Sequence, residues 1–396
     1  MFNYVDRKRT AMKYKISRQP IIVQFEDHAA FTETYGFVGS QGYVFLEGQL
    51  MLPDGVKSDT LFVFMHPATT LNLMPFPLGL AVAGQHVMCC GSRYAKNDMA
   101  LLMEKVVVDL GEYIRYAKER LGYQKIVLMG WSGGGSLTLL YQAEALNPTI
   151  TETPAGDPLD LTQANLIPAD LVVFIAAHIG RAQILSEWID PSVRDEINPD
   201  DREIELDLYD LNNPNQPPYS DDYIKQFRAA QKARISKITI KTDKILAELR
   251  VKDDAEIERP FMVHRTMADP RFLDIKLEPN GRKPNWCFLG NPKTVNVGPA
   301  GLARFTTLRA WLSQWSERSN ADGIACVKRV NTPLLLIENE ADDATPPSHT
   351  QKIFNSSASS DKVMKQIKGA THYYKDQPEK LDEAVRVVLE WVAKYK

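Results

Sequence analysis

The chain has little that would tie it to a membrane, a metal or a nucleic acid. None of its apolar runs approaches the roughly 18 residues that cross a bilayer. Four cysteines among 396 residues, Cys89, Cys90, Cys287 and Cys326, make no disulfide framework, and without CxxC or a His/Cys cluster structural zinc is not expected. Cys89 and Cys90 lie in an apolar run, the ordinary place of buried free thiols. A formal net charge of -3 gives no reason to expect nucleic acid or a polyanionic partner. Met1 to Pro20 carries Arg7, Lys8, Arg9, Lys13, Lys15 and Arg18, but no apolar stretch follows, so it reads as a solvated tail or lead-in strand and not as a secretory signal. The expected compartment is cytoplasmic. Two nucleotide-binding patterns are missing as well. A phosphate loop needs G-x-x-x-x-G-K-[ST], whereas the glycine run here ends in Ser136 and Leu137, and G-x-G-x-x-G is absent. What remains, 44% apolar and 24% charged residues, is a globular composition, long enough for one large domain with an insertion or for two domains.

What the chain does have is Gly130-Trp131-Ser132-Gly133-Gly134, directly after the apolar run Lys125 to Met129 and before the helical stretch Ser136 to Tyr141. Strand, G-x-S-x-G, helix is the order of a nucleophile elbow. A serine on so tight a turn is pushed into a strained backbone conformation, so its neighbours must lack bulk. The turn lifts the hydroxyl clear of the sheet, and the helix N-terminus behind it favours developing negative charge.

Around that motif, short apolar runs alternate with amphipathic ones. Tyr43–Leu52, Leu61–Met65, His86–Cys90, Leu171–Ala177, Pro333–Ile337 and Val363–Ile367 read as strands. Pro75–Gly84 reads as a helix, as does a segment capped by Asp98 and running to Leu121 with Leu102, Val106, Leu110 and Ile114 on one face. Leu302–Ser316, a stretch opening near His349, and Lys380–Lys396 complete the helices. Such alternation implies an α/β fold, a mostly parallel sheet covered by helices on both faces. The alternation breaks between Ile184 and about Ala303, which is acidic at first (Asp195 to Asp210), then Pro-rich, then basic and helix-like (Tyr223 to Arg250). The expected division is therefore 1–183 core, 184–303 a mainly helical cap inserted after the sixth strand, and 304–396 core again. An excursion from a strand's C-terminal end begins beside the ligand crevice of such a sheet.

A serine hydroxyl becomes a competent nucleophile when a neutral imidazole takes its proton and a carboxylate orients that imidazole. Of seven histidines, His28, His86 and His264 are not at strand C-terminal ends, and His349 opens a helix after Pro346-Pro347. His66 and His178 end strands and are candidates for substrate contact. His372, in Gly369-Ala370-Thr371-His372-Tyr373 just past the last strand, is free to reach the serine. For the acid, Asp342 and Asp343 follow the strand Leu334–Ile337; being adjacent, only one of them can point at the histidine.

The order Ser132, Asp342, His372 is serine, acid, histidine. With the elbow, it makes the chain resemble the α/β-hydrolase superfamily over Leu61–Gln183 and Arg304–Lys396, with a large insert between. The resemblance implies Asp342 as the acid, four residues before Pro346, as is common in that family. Asn339 stands where the family often has glycine. His66-Pro67 replaces the usual His-Gly, and Pro67, lacking an N–H, is no oxyanion donor. The family's donor position falls on Ala68, which with Gly133 would hold the tetrahedral oxyanion, at about 3 kcal/mol per donor. Trp131, His66, His178, Trp286 and Phe288 are the expected substrate contacts, the last two from the aromatic content of the insert. The function implied is a serine carboxylesterase acting on a small-molecule ester, or a related thioester or lactone, through an acyl-enzyme. C–C bond hydrolysis and acyl transfer are alternatives of the same fold, and a ligand-binding receptor with vestigial activity is a third. No metal or organic cofactor is implied. Oligomeric state stays open, a homo-oligomer included.

Overall fold

Residues 14–27, 42–252, 256–299 and 301–395 are described by the computed structural model; His28 and residues 1–13 of the basic lead-in lie outside them. Ten strands are present among these residues: β1 (Ile16–Glu26), β2 (Tyr43–Pro53), β3 (Thr60–His66), β4 (His86–Gly91), β5 (Lys125–Trp131), β6 (Leu171–Ile175), β7 (Pro260–Met262), β8 (Phe305–Thr307), β9 (Leu334–Asn339) and β10 (Lys362–Ile367). Eight of them form one sheet in the order β1-β2-β4-β3-β5-β6-β9-β10. β1 and β2 are antiparallel to their neighbours, and from β4 onward every pairing is parallel.

The central strands have unbroken apolar middles because both their faces are covered. Leu61, Val63 and Met65 of β3 point into one layer and Phe62 and Phe64 into the other. The first layer is closed by α2 (Met103–Glu119) and α3 (Gly133–Leu146), through Val106, Leu110, Ile114, Leu137 and Leu140. The second is closed by α1 (Pro75–Val82) and the C-terminal helix Pro378–Val392, through Phe76, Leu80, Leu381, Val385 and Val388. Each such side chain, when fully buried, contributes about 1.5–3 kcal/mol. β1 resolves the lead-in: it pairs with β2 along its whole length, with Ile21 and Val23 buried and Ile22 exposed, the half-wet alternation of an edge strand.

Asp98 is not the cap of α2. That helix begins at Met103, whose amide donates to Ser313 Oγ at 2.9 Å. Asp98 instead accepts the Ala303 amide at 2.9 Å and pairs with Arg181, a tie between distant segments that local spacing does not reveal.

Between β6 and β9 lie α4 (Arg181–Trp188), α5 (Asp221–Val251), α6 (Pro292–Val297), α7 (Leu308–Gln314) and α8 (Gly323–Val327). α5 starts where Ser220 Oγ accepts the Tyr223 amide at 3.2 Å. Ile184, Leu185 and Trp188 pack there with Ile235, Ile238, Leu246 and Phe272 in a separate apolar cluster. Trp311 and Trp315 join the same cluster, so α7, which sequence periodicity groups with the core, packs against the insert's helices. β8 precedes α7, pairing with β7, so the stretch from Leu302 is helical only from Leu308 onward. α9 (Pro347–Ser356) and α10, the C-terminal helix already named, follow β9 and β10. Among the described residues no helix is long and apolar enough to cross a membrane.

Candidate active site

Ser132 ends the β5-to-α3 turn at φ 53° and ψ -125°, a left-handed-side conformation that a non-glycine residue adopts only under constraint. Two contacts over-determine it: its amide donates to Ile175 O at 3.3 Å, and its carbonyl accepts the Gly135 amide at 3.0 Å. The glycines after it exist for close approach. A Cβ at Gly134 would stand 2.5 Å from Met65 O, and one at Gly135 would stand 2.4 Å from Ala177 Cβ. Only without them can α3 start so near the ends of β3 and β6.

His372 and Asp342 arrive on the loops after β10 and β9. His372 Nε2 lies 3.1 Å from Ser132 Oγ, and its Nδ1 lies 3.1 and 3.0 Å from the two carboxylate oxygens of Asp342. All this is nearly sealed: His372 is 1% and Asp342 3% exposed. The carboxylate is itself fixed, because Asp342 Oδ1 accepts the amides of Ala344 and Thr345, both at 2.7 Å. Asp343 makes no bond to the ring; its Oδ1 has no partner among the described residues, and burial, then the neighbouring Asp342 charge, raises its pKa against the opposing influence of His372. The two loops are tied by Asn339, whose amide donates to Thr371 O at 2.9 Å while its oxygen accepts the Tyr374 hydroxyl at 2.7 Å. A glycine there would make neither bond.

The other expected site residues divide. Trp131 packs its indole 4.6 Å from the His372 ring and donates Nε1–H to the His372 carbonyl at 3.3 Å. Phe288 reaches the same place, 5.9 Å from the His372 ring and stacked on Trp188 at 5.4 Å. Trp286 does not: it is 39% exposed and holds the Lys283 ammonium 4.5 Å over its ring. The turn between them sends the two aromatics in different directions. His66 is buried at the end of β3, and burial, aided by Arg181 and His372, lowers its pKa to about 3. His178 also has its pKa lowered well below the usual value, by burial and then by His349 and Arg181, and its Nδ1 has no partner among the described residues. The Ala68 amide, the expected oxyanion donor, donates to His66 Nδ1 at 3.1 Å. The Gly133 amide opens α3 directly beside Ser132.

Sequence reasoning missed Arg181. It is 2% exposed, pairs with Asp98 and donates to Gln314 Oε1 at 2.6 Å, so it ties the start of α4 to α7 and to the segment before α2. Its only sequence signal is an arginine in the first turn of a helix, a poor place for a cation unless it is paired. Among the described residues no group of three or more His, Cys, Asp or Glu is placed to hold a metal ion.

Among solved structures the chain is similar to an α/β hydrolase, GrgF from Penicillium sp. sh18, at 11% identity and a TM-score of 0.52, over 95% of this chain and 98% of that one. It is also similar to DcsB, solved with a substrate analogue, at 14% identity and a TM-score of 0.51, over 96% of this chain and 99% of that one. At such identities the likeness shows the fold. No protein-family model matches the sequence, and no curated protein matches it.

Proposed function

Given the α/β-hydrolase fold of this chain, we propose that it is a serine hydrolase that cleaves a carboxylic ester, or a related thioester or lactone, through an acyl-enzyme on Ser132. The observation that carries this reading is the continuous line Ser132 Oγ, His372 Nε2, His372 Nδ1, Asp342 carboxylate, each link at 3.0–3.1 Å. With Nδ1–H donated to Asp342, Nε2 is left as an acceptor for the serine proton. His372 takes that proton as Oγ attacks the carbonyl carbon, and the imidazolium is stabilised by Asp342. The carbonyl electrons pass to an oxyanion beside the Gly133 amide. Collapse expels the leaving group with the proton from His372; water, deprotonated by the same nitrogen, then attacks the acyl-enzyme and frees Ser132.

The insert acts as a cap that sets substrate choice. What supports this is Phe288, an aromatic of that segment packed between Trp188 and the His372 ring. The test is turnover of p-nitrophenyl esters of graded acyl length, alongside an activated diketone. Faster cleavage of the diketone than of every ester would favour C–C hydrolysis; ester turnover that rises with added alcohol would favour acyl transfer. Binding without turnover would favour a receptor.

A further inference from the structure

The oxyanion site has one backbone donor fewer than the family resemblance implies. Pro67 has no N–H, and the Ala68 N–H is already committed to His66 Nδ1. That bond has a second consequence. A ring nitrogen that accepts an amide proton carries none itself, so the neutral His66 imidazole must bear its proton on Nε2. Burial keeps the ring neutral in ordinary solution. No side chain or carbonyl among the described residues takes the Nε2–H.

The position of that N–H decides what it does. Gly133 has no side chain, and a Cβ there would stand 2.7 Å from His66 Nε2. The imidazole therefore occupies the space that a side chain following Ser132 would fill. Its free N–H comes up against the residue whose amide is the elbow donor. The His66 ring also neighbours the Trp131 indole, at 6.2 Å, and that indole packs 4.6 Å from the His372 ring. A neutral imidazole N–H is a sound electrophile: it polarises a carbonyl without surrendering its proton.

We propose that His66 Nε2–H is the second oxyanion donor, acting with the Gly133 amide on the tetrahedral intermediate. The role of Ala68 is then to fix the tautomer and orientation of the ring. Gly133 makes room for it. The proposal rests on the serine-hydrolase reading above.

Three substitutions test it on the ester that the wild type turns over best. H66A should lower kcat by about 10²–10³-fold with KM little changed, the signature of a lost oxyanion donor. H66N, whose amide falls near the former Nδ1, should resemble H66A. H66Q, whose amide nitrogen reaches the former Nε2, should recover at least about tenfold of the loss. Affinity for a boronic acid, which forms a tetrahedral adduct on the serine, should fall in H66A in parallel with kcat. A measurement on the wild type avoids any doubt over folding of the variants: with ¹⁵N-histidine, the Nε2–H proton of His66 should move downfield on boronate binding. An unmoved resonance, H66A kcat within about threefold of wild type, or H66Q no better than H66A would each overturn the His66 role while leaving the hydrolase reading standing. A wild type that turns over no ester and takes up no boronate would instead remove the reading on which it rests.

Discussion

Replacing Asp342 by asparagine should abolish catalysis almost completely without unfolding the protein, and the geometry says why. Oδ1 of Asp342 faces two amide donors, Ala344 and Thr345, each at 2.7 Å. An asparagine NH₂ cannot point there, since donor would meet donor. Its oxygen must take the Oδ1 position and its NH₂ must face His372 Nδ1. That nitrogen then has to accept, which moves the histidine proton to Nε2, the atom 3.1 Å from Ser132 Oγ. A base that already carries the proton it should take is no base. Loss of imidazolium stabilisation compounds the effect, and the change elsewhere is typically about 10⁴-fold, or about 5.5 kcal/mol of barrier. The polar contacts of the buried side chain are conserved in number, so the urea midpoint should shift little. D343N is the matched control: Asp343 lies beside His372 but makes no bond to its ring, whose Nδ1 is taken by Asp342, so kcat/KM should stay within a few-fold of wild type. Stopped-time hydrolysis of a p-nitrophenyl ester across pH 6–9 measures both. D342N retaining more than about a tenth of wild-type kcat/KM, or D343N being the worse variant, would refute the tautomer argument.

Other perturbations should read out other parts of the structure. His66 has its pKa lowered from 6.5 to about 3, so the unfolded chain binds a proton that the folded chain refuses. Its contribution is full above about pH 6.5 and is lost as the pH falls toward 3, by about 2 kcal/mol at pH 5, with buried His178 adding in the same sense. H66Q should accordingly lose less stability than wild type between pH 7.5 and 5 in urea titrations; equal losses would contradict this. G135A should lower the urea midpoint, because its Cβ would meet Ala177 Cβ at 2.4 Å and Phe174 Cε2 at 2.6 Å. Overpacking of about 1–3 kcal/mol then outweighs the up to ~1 kcal/mol of helix propensity gained, and an unchanged or raised midpoint would count against it. F288A should change the ranking of acyl lengths more than it changes the rate on an acetate ester, whereas W286A, at the surface beside Lys283, should leave both near wild type. The reverse pattern would put the wrong aromatic at the acyl site.

The parts of this molecule that were legible in its sequence are those set by local constraint. An apolar strand followed by Ser132 among glycines states its own backbone requirement, and the apolar centres of β3, β5, β6 and β9 announce a sheet covered on both sides. His372 was reachable by elimination because strand ends say which face of a parallel sheet carries a site. What escaped was long-range polar pairing. Asp98 looks like a helix cap until Arg181 is seen beside it, 83 residues away. Asn339 looks like a departure from a family glycine until its bonds to Thr371 and Tyr374 are seen. That Pro67 has no N–H is plain from the sequence, but nothing there says that the His66 ring competes for the Ala68 amide. Trp286 and Phe288 are equivalent in composition; only the path of the turn decides that one meets His372 and the other meets water.

The nucleophile assignment underlies all of this, and one measurement addresses it directly. A fluorophosphonate probe, followed by digestion and mass spectrometry, reports which serine attacks. Ser132 is strained into the elbow and lies 3.1 Å from the imidazole of His372, so it should be the labelled residue. The S132A variant, with the same fold, should take up no probe. Labelling of S132A at wild-type yield, or of the wild type at another serine, would contradict the account.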